Sequence, residues 1–461
     1  MTAVYWFRRD NRLGDNLALN RAIEAAMAAD DRTVFAFSLL VEEHFEGLSA
    51  LRRDSILASV GALSASMAGR LNVIHALDSA GAVASFAKAA KNLGVDKVFA
   101  TRAFDPKGVA EQNTVGLALR DVGIFLELHD SYYAVAPGTV KKPDGTFYRV
   151  YTPFHKNWLL AGWGRPVAQA KGHVWGVLDE FRQLPQSVAE ASARVRAGEA
   201  FALETWSRFK KRALAGYEDD RNRADLPGTS HLSHALSYGE IHPRTLLADL
   251  GDLPGHEVFR KEIAWREFYA DILWQHPHSY TDYLDPKFAK MRYDTGELAE
   301  ARLSAWQQGQ TGFPMVDAGM RQLLATGWMH NRVRMIVASF LVKDLHLEWQ
   351  AGADWFERHL TDFDPASNAH GWQWTAGCGT DASPYFRVFN PVLQGLKFDP
   401  SGDYVRKYIP ELRHIEGSAV HEPWNLIDGY AHGYPSPLVD HSTERDESLR
   451  RLEELKQLTS D

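Results

Sequence analysis

Between Val4 and Leu128 short apolar runs recur at regular intervals, separated by stretches with apolar positions at helical spacing. Val4-Tyr5-Trp6-Phe7, Thr33-Val34-Phe35-Ala36-Phe37, Leu71-Asn72-Val73-Ile74, Lys97-Val98-Phe99-Ala100 and Phe125-Leu126-Glu127-Leu128 read as buried strands. Strands that alternate with helices in this way predict an α/β domain over residues 1–130, a doubly wound parallel five-stranded sheet. From 131 to 195 the period weakens, and Ala136-Pro137-Gly138 and Pro143-Asp144-Gly145 mark a long connector running over the surface. From 196 to 461 the pattern is almost purely helical, with 261–274, 314–326 and 331–345 the clearest helices. Past Pro410 the chain is loop-rich and ends in a charged helix over 443–458. A chain of 461 residues exceeds what one core usually holds, so two domains are expected.

One stretch breaks the pattern. Asp362-Phe363-Asp364-Pro365-Ala366-Ser367-Asn368-Ala369-His370-Gly371-Trp372-Gln373-Trp374 has neither helical nor strand period over its first half and predicts a loop lining a site. Asp362, Asp364 and Asn368 supply a polar edge, and Trp372 and Trp374 supply flat faces, so a large planar ligand with a polar rim fits. On these residues alone, a turn with solvated acids and core tryptophans stands equally open.

Composition narrows the function classes. The chain is 45% hydrophobic and 24% charged, has no apolar run long enough to span a membrane, and lacks a basic, apolar leader at Met1, so a cytoplasmic location without membrane contact is expected. Its single cysteine, Cys378, excludes an internal disulfide. A net charge of −8 argues against a generally basic nucleic-acid binder, so any DNA contact must be local. The 14 tryptophans, many of them between Trp265 and Trp374, exceed ordinary core use and suit base stacking or electron relay. No glycine fingerprint follows the first strand, and no zinc or P-loop motif appears. The histidines at 231 and 234 are too sparse for a metal site.

Three further groups carry chemistry. Gly228-Thr229-Ser230-His231-Leu232-Ser233 places hydroxyls and backbone N–H groups before a helix start, either as a diphosphate cradle or as an ordinary cap. Glu262, Trp265, Arg266 and Tyr269 share one helix face, either as a site or as an amphipathic face with a core tryptophan. Arg334, three residues after Asn331, is placed to reach a carboxylate of the 362–374 stretch.

The stretches 262–269, 326–335 and 362–374 resemble the photolyase/cryptochrome family of flavoproteins, most closely the bacterial-type, light-driven photolyases of cyclobutane pyrimidine dimers. The resemblance runs from Trp6-Phe7-Arg8-Arg9-Asp10 to about Pro410, and Tyr148-Arg149-Val150-Tyr151-Thr152-Pro153-Phe154 within the connector shares it, so the connector is expected to be ordered. It implies an antenna-binding α/β domain over 1–130, the connector over 131–195, and an all-α domain over 196–461 that binds FAD and DNA. By this resemblance Tyr217, Thr229, Ser230, Leu232 and Ser233 hold the FAD phosphates, with His231 where a basic residue is common. Arg334 pairs with Asp362 beside the flavin ring, Asp364 and Asn331 hydrogen-bond the cofactor, Arg266 joins the binding set, and Asn368 faces flavin N5, where plant cryptochromes usually carry aspartate. Trp265 and Trp374 wall a pocket for two fused pyrimidines, Glu262 donates to a base carbonyl with a raised pKa, and Met335 stands where relatives acting on (6-4) photoproducts place histidine. Arg221, Arg332, Arg387, Gln394 and Lys397 match positions on the DNA backbone.

The resemblance also matches Trp372 and Trp349 to the first two members of a three-tryptophan electron relay. Gly296 falls where the third should stand, which leaves Tyr293 or Trp306 as the outer donor. A light-harvesting antenna, methenyltetrahydrofolate or 8-hydroxy-5-deazaflavin, is implied at the edge of the first domain, and the residues around 37–46 and 104–111 do not choose between them. The single cysteine excludes the four-cysteine iron–sulfur cluster of some relatives. The implied function is light-dependent repair of UV-damaged DNA by a monomeric, metal-free carbon–carbon lyase. The alternative is a cryptochrome-type blue-light photoreceptor without repair, against which Asn368, Met335, the Glu262/Trp265/Trp374 set and the lack of a long tail all weigh. A flavin oxidoreductase working without light is a third class, for which no substrate-reduction motif is present.

Overall fold

The computed structural model describes residues 2–28, 32–381 and 387–458, which pack as two compact units. The first comprises Met1–Tyr148, Thr152–Leu214 and Ser230–Gln275; the second comprises Arg149–Tyr151, Ala215–Thr229 and His276–Asp461. Packing therefore divides the chain elsewhere than at residues 130 and 195. The helices Glu199–Arg212 and Pro254–Gln275, which lie in the stretch expected to be all-α, belong to the first unit.

Five strands form where the apolar runs predicted them: β1 (Ala3–Phe7), β2 (Thr33–Val41), β3 (Asn72–Ala76), β4 (Lys97–Thr101) and β5 (Phe125–His129). Every pairing is parallel, in the order β3-β2-β1-β4-β5. One face of the sheet packs Tyr5, Phe7 and Leu40 against Leu19, Ile23 and Leu57, and the other packs Trp6 and Phe37 against Val83, Phe86 and Leu119. Burial on both faces is why these strands read as continuous apolar runs. β2 continues to Val41, four residues past its predicted end, and that length allows a sixth strand, β6 (Val174–Gly176). β6 pairs with Thr33–Phe35 while β3 pairs with Phe37–Val41. Three residues are too few to show a period, so β6 left no mark in the sequence. Asn72 closes the gap, donating to the carbonyls of Ala36 (3.0 Å) and Gly176 (3.1 Å) and accepting from Leu178 N–H (2.8 Å).

The expected surface connector is in part a packed segment. Tyr132, Tyr133, Val135 and Val140 are buried, and the backbone there is held by two acids on the Pro254–Gln275 helix. Glu267 accepts from Ala134 N–H (2.5 Å), Val135 N–H (3.0 Å) and the Trp158 indole (2.6 Å), and Asp271 accepts from Gly138 N–H (2.6 Å). Burial pushes the Glu267 carboxyl up to about 7, against the pull of those donors.

The second unit is a helical assembly around one apolar core containing Trp306, Met329, Phe340, Trp349 and Trp372. Its principal helices are Glu297–Gln308, Pro314–Thr326, Asn331–Lys343, Trp349–His359, Pro365–Ala376, Pro391–Phe398 and His441–Leu458. Cys378 is buried here. No described helix is long and apolar enough to cross a membrane, and the described residues contain no cluster of metal-ligating side chains.

Candidate active site

The 362–374 stretch is not a loop. Residues Pro365–Ala376 form a helix with proline in its first turn; Asp364 is the N-cap, its carboxylate accepting from Ser367 N–H at 2.9 Å, and Gly377 at φ +84° ends the helix. Its period escaped detection because the side away from the core carries Ser367, Asn368, Gly371 and Trp374, which are small, polar or aromatic and give no simple polar stripe opposite Ala366, Ala369, Trp372 and Ala376. The facing helix Asn331–Lys343 starts from His330, whose Nδ1 accepts from Arg332 N–H at 3.2 Å.

These helices, with Trp349–His359, line a partly open cavity of about 130 Å³. Asn331, Asp362, Asp364, Ser367 and Asn368 give it polar groups, and Met335, Ala338, Phe356, Leu360 and Trp372 give it apolar walls. Arg334 donates to one Asp362 oxygen at 2.7 Å and to the Met329 carbonyl at 2.8 Å. The other Asp362 oxygen is buried without a hydrogen-bond partner among the described residues. A buried carboxylate oxygen left open in this way requires a donor from a ligand or water. Asn368 donates one amide N–H to the Ala353 carbonyl at 3.1 Å, so its amide oxygen and second N–H remain for a ligand. At Gly371 no atom lies within 4 Å of where a Cβ would stand, which opens that turn of the helix. Two acceptor oxygens, one buried charge pair and flat apolar walls fit an isoalloxazine ring, with its polar N–H edge and apolar body.

Trp372 lines this cavity and lies over Gly352, where a Cβ would come 2.1 Å from the indole. Trp349 stands three residues before Gly352 on the same helix and is 1% exposed. Its ring meets Tyr283 edge-on (6.1 Å between centroids, 84°), and Tyr283 stacks on half-buried Tyr293 (6.5 Å, 18°). Trp306 meets Trp372 edge-on at 6.0 Å but is fully buried. Tyr283 was absent from the sequence-level candidates, because no spacing rule links it to Trp349. Gly296 is the N-cap of Glu297–Gln308.

The other sequence-level candidates fall as follows. Glu262, Trp265, Arg266 and Tyr269 are all half-buried on the Pro254–Gln275 helix, opposite Ile263, Ala264 and Phe268, which enter the core of the first unit. Arg266 donates to the carbonyls of Tyr132 and Leu236, both at 3.2 Å, and lies over the Tyr133 ring at 4.6 Å, so its guanidinium braces its own unit. Ser230–Ser233 belong to the first unit and Thr229 and Tyr217 to the second. Ser230 Oγ accepts from Leu232 N–H at 3.4 Å, His231 has φ +53°, and Ser233 opens the short helix Ser233–Ser237. Tyr217 is buried, with the Arg221 guanidinium 5.9 Å over its ring. Arg332 and Lys397 both lie over Phe398, at 4.8 and 5.4 Å, and Arg332 is further held by Asn222 Oδ1 at 2.8 Å. Gln394 shares the Pro391–Phe398 helix with Lys397, and Arg387 is exposed while its carbonyl accepts from buried Lys343 Nζ at 3.2 Å.

A parallel α/β unit together with a helical unit that holds a cavity of this chemistry defines a flavoprotein of the photolyase/cryptochrome fold. The family model for DNA photolyase matches residues 3–171, and the model for the FAD binding domain of DNA photolyase matches residues 259–454. The deoxyribodipyrimidine photo-lyase of Agrobacterium fabrum is 37% identical over 99% of this chain and 98% of its own, and that of Escherichia coli K12 is 35% identical over 98% of both. A bacterial class III photolyase from Agrobacterium tumefaciens superposes with a TM-score of 0.85 at 35% identity, over 99% of this chain and 98% of that one. A cryptochrome from Synechocystis superposes at 0.86 with 24% identity, over 97% of this chain and 98% of that one, a likeness of fold alone. The chain belongs to the DNA photolyase family. It is an enzyme of the deoxyribodipyrimidine photo-lyase type with FAD as its cofactor.

Proposed function

We propose that the protein repairs cyclobutane pyrimidine dimers in DNA when illuminated, by one-electron transfer from reduced FAD to an extruded dimer. The observation that carries this is the cavity in the second unit. Its open Asp362 oxygen and the free amide oxygen of Asn368 are both acceptors, which suits the N–H groups of a reduced flavin, and neither Asn368 nor Met335 adds charge beside the ring. FAD supplies the photoexcitable electron donor. Arg334 holds Asp362 in place for the cofactor, and Asp364 and Asn331 add hydrogen bonds at the cavity rim. Tyr217, Thr229, Ser230, Leu232 and Ser233 take the FAD phosphates, and Arg266 joins the cofactor-binding set.

Trp265 and Trp374 stack on bases, each contact being worth about 1–3 kcal/mol. Glu262 donates to a base carbonyl. Arg221, Arg332, Arg387, Gln394 and Lys397 hold the DNA backbone without reading sequence. A lesion that has already lost stacking costs less to extrude than a normal pair.

Purified, FAD-loaded protein is incubated with ultraviolet-irradiated DNA in blue light and in darkness, and dimers are counted. Loss of dimers in light alone is the expected result; flavin-containing protein that leaves dimers untouched under light overturns the reading and points to a photoreceptor. Glu262→Ala should lower repair per absorbed photon more than DNA affinity, and Trp265→Ala should do the reverse. Equal, purely affinity-based losses in both variants would contradict the two roles.

A further inference from the structure

An excited oxidised flavin is a strong one-electron oxidant, and Trp372 is the oxidisable side chain that lines the cavity. What becomes of the positive hole left on Trp372 depends on which neighbouring ring loses both an electron and a proton. The Trp372 and Trp349 indole N–H groups are buried and have no acceptor among the described residues, so neither radical cation has a base nearby. The hole stays mobile on both. Trp306, the branch at 6.0 Å from Trp372, is fully buried, and its N–H bonds only to the Val337 carbonyl at 3.0 Å, which is a poor proton acceptor.

The branch over Gly352 ends differently. Beyond Trp349 lies Tyr283, whose hydroxyl donates to Glu348 Oε1 at 3.1 Å. Glu348 is exposed, so a proton passed to it goes on to water. In the resting protein burial holds the Tyr283 phenol well above its ordinary range, against the pull of the Tyr293 hydroxyl and with the help of the Glu348 carboxylate, so it keeps its proton until it is oxidised. Centroid separations of 6.1 Å to Trp349 and 6.5 Å to Tyr293 keep the rings in contact.

We infer that Tyr283, with Glu348 as its proton acceptor, is the trap that ends hole transfer from the flavin site, and that half-buried Tyr293 beside it is where an external thiol reductant returns the electron. This deepens the proposed function and rests on it. The step balances: the flavin gains one electron, the Tyr283 O–H bond breaks, its electron refills Trp349 and in turn Trp372, and its proton forms an O–H bond on Glu348. On return, the thiol S–H bond breaks, its electron passes through Tyr293 to the Tyr283 radical, and a proton from Glu348 remakes the Tyr283 O–H bond. The thiol proton goes to water, and the thiol leaves as a thiyl radical.

The test is nanosecond transient absorption on FAD-loaded, oxidised protein, with visible flavin absorption and far-ultraviolet circular dichroism showing that each variant is folded and loaded. Wild type should show a tryptophan radical cation giving way to a neutral tyrosyl radical. Tyr283→Phe should remove the tyrosyl signal. Glu348→Gln should slow its appearance on the order of a hundredfold, the lower range of general-base effects, and should change the solvent isotope effect. Tyr293→Phe should leave the first tyrosyl signal and slow its quenching by thiol. If Trp372→Phe photoreduces normally, the flavin relay itself is wrong. If Trp372→Phe is blocked while Tyr283→Phe and Glu348→Gln behave as wild type, the relay stands and this exit is overturned.

Discussion

Replacing Arg334 by alanine tests the site without light or DNA. The Asp362 side chain is 1% exposed and Arg334 24%, and their 2.7 Å bond is the hydrogen bond that holds the Asp362 carboxylate. Removing one partner of a buried pair costs about 3–5 kcal/mol, because the charge left behind is desolvated and unpaired. Partial access of water on the Arg334 side places the loss at the lower end, about 3 kcal/mol, including the donor lost to the Met329 carbonyl. Adding Asp362→Asn to the same protein removes the stranded charge and should recover about 2 kcal/mol, a coupling that a double-mutant cycle isolates. Urea unfolding of flavin-free protein, followed by tryptophan fluorescence, reads this directly. Repeating it with saturating FAD reads how much of the cofactor's stabilisation is lost with the pair. A loss under 1 kcal/mol in Arg334→Ala, or no recovery in the double variant, would refute the claim that Asp362 is held as a buried, charged acceptor.

Other expectations follow from single contacts. Gly352→Ala drives a Cβ into the Trp372 indole and should cost about 1–3 kcal/mol by overpacking, whereas Gly371→Ala meets no protein atom and should spare the flavin-free fold while reducing flavin uptake; differential scanning calorimetry and flavin titration separate the two. Glu267 is raised from 4.5 to about 7 by burial, so the fold favours its neutral form. Its contribution to stability is complete below pH 4.5 and declines as pH rises to about 7, and Glu267→Gln should remove that one-proton slope from a pH series of unfolding curves. Arg387→Ala and Lys397→Ala should each weaken DNA binding equally across sequences and reduce the salt slope of log K by about 1, as measured by fluorescence anisotropy.

The sheet was legible because its strands are buried on both faces and so declare themselves as apolar runs. The helix 314–326 was legible because proline and glycine mark its ends, and the helix expected over 331–345 was legible at its start, after His330, but ends two residues earlier, at Lys343. That Arg334 could reach a carboxylate of the 362–374 stretch was legible in the sequence, but its pairing with Asp362 came only through the resemblance, since nothing in local spacing brings residues 28 apart into contact. Besides β6, three things were hidden. The helix Pro365–Ala376 lacks amphipathic contrast, because one side packs in the core and the other lines a cavity. Glu267 sits among core positions of its helix, where an acid reads as noise until the three donors that meet it are seen. Tyr283 lies 66 residues from Trp349 in sequence and is joined to it by tertiary packing alone.

In the proposed relay, the absence of a tryptophan at position 296 follows from backbone geometry. Gly296 has φ +84° and ψ −169°, a region that side-chain-bearing residues almost never occupy, and it is the N-cap from which Glu297–Gln308 departs. A tryptophan at 296 would force this turn to rearrange at a cost of about 1–3 kcal/mol, so the position cannot carry a ring without altering the helix that bears Trp306. With that place closed, the oxidisable rings that continue outward from Trp349 are Tyr283 and Tyr293. A phenol holds a hole stably only if its proton can leave, and Glu348, the residue immediately before Trp349, presents a carboxylate to the first of them. In the proposed relay, the turn that excludes the tryptophan and the carboxylate that accepts the Tyr283 proton are thus two parts of one local solution, both at the exposed edge of the second unit, with Tyr283 and Trp349 in the core behind them.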